Sequence, residues 1–234
     1  MLLLAVDTSG KNGSIALARA VPGEEIEVLD IMPLSGGAFS AQLIPQIAAI
    51  LEKQRFSKNE LGAFIVASGP GSFTGLRVGL AGIKALAEAL QKPIVAVSLL
   101  EAIARSGGPR GRVYAVLDAG REDVYVGEYE LDPESQWQIR MHSERLLSIK
   151  EFIAEAKVLE AHGKIVVTPE FVVAEKMRAA GLQVNIIDYP NSGTLARFGW
   201  EHLERGDAVG AAELEANYLR RTDAEIFSKP APRL

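Results

Sequence analysis

Two spacings of apolar residues alternate along the chain. Leu2–Val6, Ala63–Ala67 and Ile94–Val97 are short, unbroken apolar runs, the form of strands buried on both faces. Between them, Leu43, Ile44, Ile47, Ile50 and Leu51, then Leu76, Leu80, Ile83, Ala87 and Leu90, return at helical spacing. With Lys11-Asn12-Gly13 and Pro22-Gly23 as turns, the chain predicts strands at Leu2–Val6, Ser14–Arg19 and Glu25–Met32, then a helix at Ala41–Gln54. Ser40 is placed to cap that helix, and Pro45 removes a backbone bond from its first turns. Ser57-x-x-Glu60 reads as a capping box ahead of the Ala63–Ala67 strand. A helix at Thr74–Leu90, the strand Ile94–Val97 and a helix opened by Ser98-x-x-Glu101 follow.

Gly107-Gly108-Pro109 breaks the chain, and the same order then returns. Arg112–Leu117, Val124–Leu131 and Trp137–Leu147 predict three strands, and Ser148-x-x-Glu151 opens a helix to about Ala156. Lys164–Thr168 and Val184–Asp188 read as strands around a helix at Phe171–Ala180 closed by Gly181, and Thr194–Arg205 is a last helix ending at Gly206. Asp7 and Asp118 stand at the ends of the two matching first strands. The expected fold is therefore α/β and duplicated: an N-terminal lobe (1–106), a smaller C-terminal lobe (110–210), each βββαβαβα, and a final segment (211–234) placed to return to the first lobe. That layout is the one of actin, sugar kinases and Hsp70 (the ASKHA, ribonuclease H-like class), and it does not by itself specify an activity.

At 234 residues, 48 % hydrophobic and 24 % charged, the composition is ordinary for a globular chain. No apolar run approaches the ~20 residues of a membrane span, and Asp7 interrupts the one at the N-terminus. The absence of cysteine removes disulfides and thiolate chemistry, and together these features lead us to expect a cytoplasmic protein with no membrane partner. A net charge of −5 argues against strong nucleic-acid binding by this chain alone.

The stretch Ser68–Arg77 joins a strand to a helix through three glycines, a geometry that can offer backbone N–H groups to an anion. Its spacing fits no nucleotide fingerprint: no lysine follows Gly75, and Gly69, Gly71 and Gly75 put the third glycine one residue late for a dinucleotide turn. The following helix is polar only along Arg77, Lys84, Glu88 and Gln91. Its other surface includes Gly79 and Gly82, whose missing side chains allow close approach either by a helix of the same chain or by another subunit. Asp7-Thr8-Ser9-Gly10 could form half of a phosphate cradle, but Asp118-Ala119-Gly120 is followed by Glu122 and Asp123, which would repel phosphate. The expectation is a weak, vestigial nucleotide site at Asp7, Thr8, Ser9 and Gly10, or plain hairpin tips. His142, His162 and His202 lie far apart and form no metal motif.

Leu4-Ala5-Val6-Asp7-Thr8-Ser9, the loop Gly69–Gly79, Val97-Ser98-Leu99-Leu100, Leu117-Asp118-Ala119 with Val124-Tyr125, and Tyr218-Leu219-Arg220 together resemble one family. It is the bacterial dimerisation subunit, TsaB or YeaZ type, of the machinery that makes threonylcarbamoyladenosine beside the tRNA anticodon. The resemblance is thinnest from Leu131 to Gly210, and Ser40-Ala41, Arg121 and Ala216-Asn217 depart from the usual pattern. It implies a non-catalytic subunit with no catalytic residue, metal or cofactor. The catalytic paralogue carries His-x-x-x-His on its first helix, and the matching stretch Phe39–Pro45 holds no histidine. The resemblance further implies pairing with the metal-containing threonylcarbamoyltransferase subunit through the two N-lobe helices. That would put Leu43, Ile44, Ile47 and Ala48 with Val78, Gly79, Gly82, Ala85, Leu86 and Ala89 at the interface. A small ATPase subunit is a further implied partner, tRNA is held only through the complex, and a homodimer is open to the isolated chain. A small-molecule kinase of the same superfamily is the alternative, and a peptidase has no nucleophile or ligand set to support it.

Overall fold

A computed structural model describes residues 1–107, 111–132, 139–160 and 165–220. The sequence-predicted repeat is present in full. The first half runs β1 (Leu2–Asp7), β2 (Gly13–Arg19), β3 (Glu27–Leu34), α1 (Phe39–Lys53), β4 (Leu61–Gly69), α2 (Phe73–Leu90), β5 (Ile94–Ser98) and α3 (Leu99–Gly107). The second runs β6 (Gly111–Gly120), β7 (Asp123–Leu131), β8 (Ile139–Ser148), α4 (Ile149–Glu160), β9 (Ile165–Thr168), α5 (Phe171–Ala179), β10 (Val184–Ile186) and α6 (Ser192–Glu204). The two sheets have the same order, β3-β2-β1-β4-β5 and β8-β7-β6-β9-β10, with antiparallel hairpins on one side and parallel strands on the other. Among the described residues no helix is long and apolar enough to cross a membrane.

Successive strand residues point to opposite faces, and in the first sheet both faces are covered. Leu2, Leu4, Val6, Ile15, Leu17, Phe64 and Val66 pack under α1 and α2. Leu3, Ala5, Ala16, Ala18, Ala63, Ile65 and Ala67 face the other way, against Leu195, Ala196 and Trp200 of α6. The alanines on that second face let α6 lie close; a side chain at Gly199 would overlap Ile65.

The two last helices are exchanged between halves. α3, continuous in sequence with the first sheet, buries Leu99, Leu100, Ile103 and Ala104 against Val113, Ala115, Leu117 and Val167 of the second. α6, at the end of the second half, covers the first sheet and is tied to it where Ser192 N–H donates to Ser14 Oγ at 2.9 Å and Ser192 Oγ donates to the Ser14 carbonyl at 2.6 Å. The exchanged helices meet through charge: Arg105 pairs with Glu101 at 3.4 Å and with Glu201, and His202 Nε2 lies 2.9 Å from Glu101. The segment after α6 also lies on the first half. Val209 and Ile94 exchange backbone hydrogen bonds of 2.8 and 2.9 Å, Leu214 is buried in the core under α1 and α2, and Asn217 N–H donates to the Ser68 carbonyl at 2.8 Å.

Local expectations divide by cause. The capping boxes at Ser57/Glu60 and Ser148/Glu151 are formed in both directions. The Ser98 box is half formed: Ser98 Oγ accepts from Glu101 N–H at 3.4 Å, but the Glu101 carboxylate is drawn off to Arg105 and His202. Ser40 does not cap α1. The helix begins earlier, with Ala38 at the cap and Phe39 buried in the core, and Ser40 sits in the first turn. The expected break at Gly108-Pro109, and the expected strand starts at Trp137 and Lys164, lie outside the described residues.

Candidate functional site

The glycine-rich loop is a packing device. It seats the start of α2 on the tip of β1, with Ser72 N–H donating to the Ser9 carbonyl at 2.7 Å and Thr8 Oγ1 donating to the Gly75 carbonyl at 2.7 Å. Ser72 Oγ caps the helix, accepting from Gly75 N–H at 3.2 Å. A Cβ at Gly71 would overlap the Ser9 backbone, one at Gly75 the Thr8 carbonyl, and one at Gly79 the Thr8 hydroxyl. Gly71 and Gly75 are thus required because two backbone segments touch, and Gly79 because the Thr8 hydroxyl lies against the helix. The contacts that an anion would use at Ser72 and Gly75 are already taken by the chain itself.

Below this contact a cleft of about 1230 Å³ opens between the halves, reached by Asp7, Ser9, Lys11, Asp118, Glu170 and Tyr189. Asp7, Thr8 and Ser9 are nearly sealed, each at 2 % exposure or less. Burial pushes the Asp7 carboxyl up, opposed by Ser9, whose Oγ and backbone N–H donate to Asp7 Oδ1 at 2.6 and 2.8 Å. Glu170 accepts from Asp118 N–H at 3.1 Å, and burial, with the charge of Asp118 adding, raises its carboxyl above the usual range. The Tyr189 hydroxyl is pushed up by burial and then by Asp7 and Glu170. The cleft is thus lined by three carboxyls, two of them pushed towards the neutral form, with Lys11 as its one cation among the described residues.

This corrects the reason for expecting weak phosphate affinity. Glu122 and Asp123 do not reach the cleft. Glu122 pairs with Lys176 and Asp123 with Arg220, both at 2.8 Å. The carboxylates that line the cleft in the second half are Asp118 and Glu170, and Glu170, like Tyr189, belongs to no motif that could have flagged it. Among the described residues no group of three or more His, Cys, Asp or Glu is arranged to hold a metal.

The residues expected on a helical interface separate into two sets. Ile44, Ala48, Ala85 and Ala89 are exposed, and Val78, Gly82 and Leu86 are half-buried. Leu43, Ile47 and Gly79 are buried within the chain: the two aliphatic residues belong to the core under α1, and Gly79 faces Thr8. Gly82 sits at the α1–α2 contact, where a Cβ would overlap Leu43 and just reach Ile44. Close approach at these glycines is thus intramolecular. The exposed surface of the helix pair also includes Ala41, Pro45 and Ala81, which were not among the expected residues.

The sequence matches the family model "TsaD: tRNA N6-adenosine threonylcarbamoyltransferase" over residues 33–190. It is similar to the tRNA threonylcarbamoyladenosine biosynthesis protein TsaB of Bacillus subtilis, with 35 % identity over 131 residues that make up 56 % of each chain, so this match spans little more than half of the relative's length. The similarity to the Haemophilus influenzae protein of the same description is 26 % over 99 % of this chain and 98 % of the relative. In structure it is similar to YeaZ from Pseudomonas aeruginosa, with a TM-score of 0.72 and 24 % identity over 93 % of this chain and 99 % of that one. With the family match running over more than half of its length, the chain belongs to the TsaD threonylcarbamoyltransferase family and, within it, to the TsaB or YeaZ type.

Proposed function

We propose that this chain is the non-catalytic dimerisation subunit of the complex that transfers a threonylcarbamoyl group to the adenosine beside the tRNA anticodon. The observation that carries the reading is the α1–α2 surface. Ala41, Ile44, Pro45 and Ala48 on one helix lie beside Ala81, Ala85 and Ala89 on the other, all exposed, with Val78 and Leu86 half-buried alongside. These side chains are uncharged and mostly alanine, so a second helix pair can approach closely. The metal-containing transferase subunit is the partner proposed for it, a small ATPase subunit is a further one, and tRNA is held mainly by the assembly. In the absence of partner the same face pairs two copies of this chain.

Two features support the non-catalytic part. The stretch Phe39–Pro45, which matches the segment where the catalytic paralogue carries His-x-x-x-His, holds no histidine, and the cleft sets a single cation, Lys11, against the carboxyls of Asp7, Asp118 and Glu170, a poor cradle for nucleotide phosphates. The test is co-purification with the transferase subunit, and the modification assay, using Ala85→Glu. A new carboxylate buried at the contact costs several kcal/mol, enough to raise a micromolar Kd to about millimolar or beyond. Retention of partner and of modification by a folded Ala85→Glu chain would sink the proposed interface; robust ATP turnover by the isolated chain, lost on Asp7→Asn, would favour the kinase.

A further inference from the structure

A second, smaller recess of about 490 Å³ lies where the glycine-rich loop, the β6–β7 hairpin and the segment after α6 converge, lined among others by Phe73, Arg121, Tyr125, Tyr218 and Arg220. One wall is aromatic. The rings of Phe73 and Tyr218 lie 5.1 Å apart, the Arg77 guanidinium stacks 3.7 Å over Phe73, and Arg77 Nε donates to Tyr218 Oη at 3.4 Å. Tyr218 is 45 % exposed, an open π-face in a chain with few aromatic residues.

The other wall is cationic and held under strain. Arg121 and Glu122 form the tip of the β6–β7 hairpin with φ of +57° and +64°, a left-handed pair in which neither residue is glycine. The tip is fixed from both sides. Arg220 Nη2 donates to the Ala119 carbonyl at 3.1 Å and pairs with Asp123 at 2.8 Å, and Lys176 holds Glu122. Arg121 itself is exposed and has no partner among the described residues, and the buried Nε of Arg220 has none either. A strained turn braced so that an unpaired arginine stands beside a tilted aromatic pair with an open tyrosine face is the arrangement of a ligand site. The sign of this recess is opposite to that of the main cleft.

We propose that the recess binds a nucleotide unit, its base stacked on the open face of Tyr218 and its phosphate held by Arg121. The volume suits one nucleotide, and the ligand can be a free nucleotide or an unstacked residue of single-stranded RNA. This assignment does not depend on the scaffold reading, so it is tested on the isolated full chain. Fluorescence anisotropy with a short unpaired RNA and calorimetry with ADP, both without added metal, distinguish the two sources. Binding of either probe is expected, weakened by Tyr218→Ala about 5- to 100-fold. Arg121→Ala, at an exposed and unpaired position, should leave the melting curve unchanged, weaken binding, and flatten the log–log salt dependence of RNA binding by about 0.7. Failure to bind both probes, or binding indifferent to both substitutions, overturns the assignment.

Discussion

Arg105, together with the Glu101–His202 pair, holds the exchanged helices to each other, and its removal has a calculable effect. Its side chain is 4 % exposed, those of its partners Glu101 and Glu201 are 11 % and 10 % exposed, and its guanidinium also lies 4.0 Å over the Phe198 ring. Arg105→Met keeps most of the stem and deletes the charge. Glu101 keeps His202 at 2.9 Å, but Glu201 loses its hydrogen-bonding partner while its Oε1 already has none among the described residues. Removing one member of a buried pair costs about 3–5 kcal/mol. For a chain of this length each kcal/mol moves Tm by about 2–4 °C, so Tm should fall by roughly 6–20 °C.

The same variant has a pH signature. Burial already raises the Glu201 carboxyl above its ordinary range against the pull of Arg105, and deleting Arg105 raises it further. A carboxyl whose folded pKa exceeds its unfolded one stabilises the fold below the unfolded pKa, and that contribution is lost as pH rises through the folded pKa. The deficit of Arg105→Met should therefore be smaller near about pH 5 than near about pH 8. Circular-dichroism melts at both values test it, and adding Glu201→Leu should restore much of the loss at the higher pH. A deficit under about 1 kcal/mol, the size of a solvated surface pair, or one equal at both pH values, refutes the clamp.

Three further outcomes follow from geometry already described. Gly79→Ala forces the Thr8 hydroxyl aside and disturbs its bond to Gly75, so urea unfolding should show a loss of about 1–3 kcal/mol; an unchanged midpoint would mean that α2 is not seated on β1. Ser9→Ala deletes the Oγ donor that stabilises ionised Asp7 and so raises that carboxyl further; the loss of about 1–2 kcal/mol should appear at neutral pH and shrink as the medium becomes acidic, and a pH-independent loss contradicts it. Gly82→Arg drives a side chain into Leu43 and should lower Tm of the isolated chain, whereas Ala85→Glu, at an exposed position, should stay within about 0.5 kcal/mol of the parent.

Element type and order were readable because each rests on local physics. Unbroken apolar runs, period-3.6 apolar patterns, glycine stops and serine–glutamate boxes act within a few residues of themselves, which is why Ser57/Glu60 and Ser148/Glu151 behave as expected. The exchange of α3 and α6 was not readable: an apolar helix face states that it must be covered and leaves open which sheet covers it. Inward and outward glycines look alike for the same reason. Gly79 and Gly82 suggested a partner from outside, while their neighbours are Thr8 and Leu43 of the same chain. The cleft carboxylates came from Asp118, visible as a repeat of Asp7, and Glu170, which precedes an ordinary helix and carries no signal in its own neighbourhood.

The exchanged helix also sets a clock for synthesis. β1 is made long before α6, yet the face formed by Leu3, Ala5, Ala16 and Ala63 is fully covered only when Leu195, Ala196 and Trp200 of α6 arrive. At about 5–20 residues per second that interval is roughly 10–40 s. Through it the nascent first half holds a largely uncovered apolar sheet face, to which α3 contributes only Ala102 while its larger apolar side chains pack on the second sheet. Any halt in translation between the two halves therefore strands an aggregation-prone chain, and the amount of full-length protein recovered should depend on how fast the second half is made.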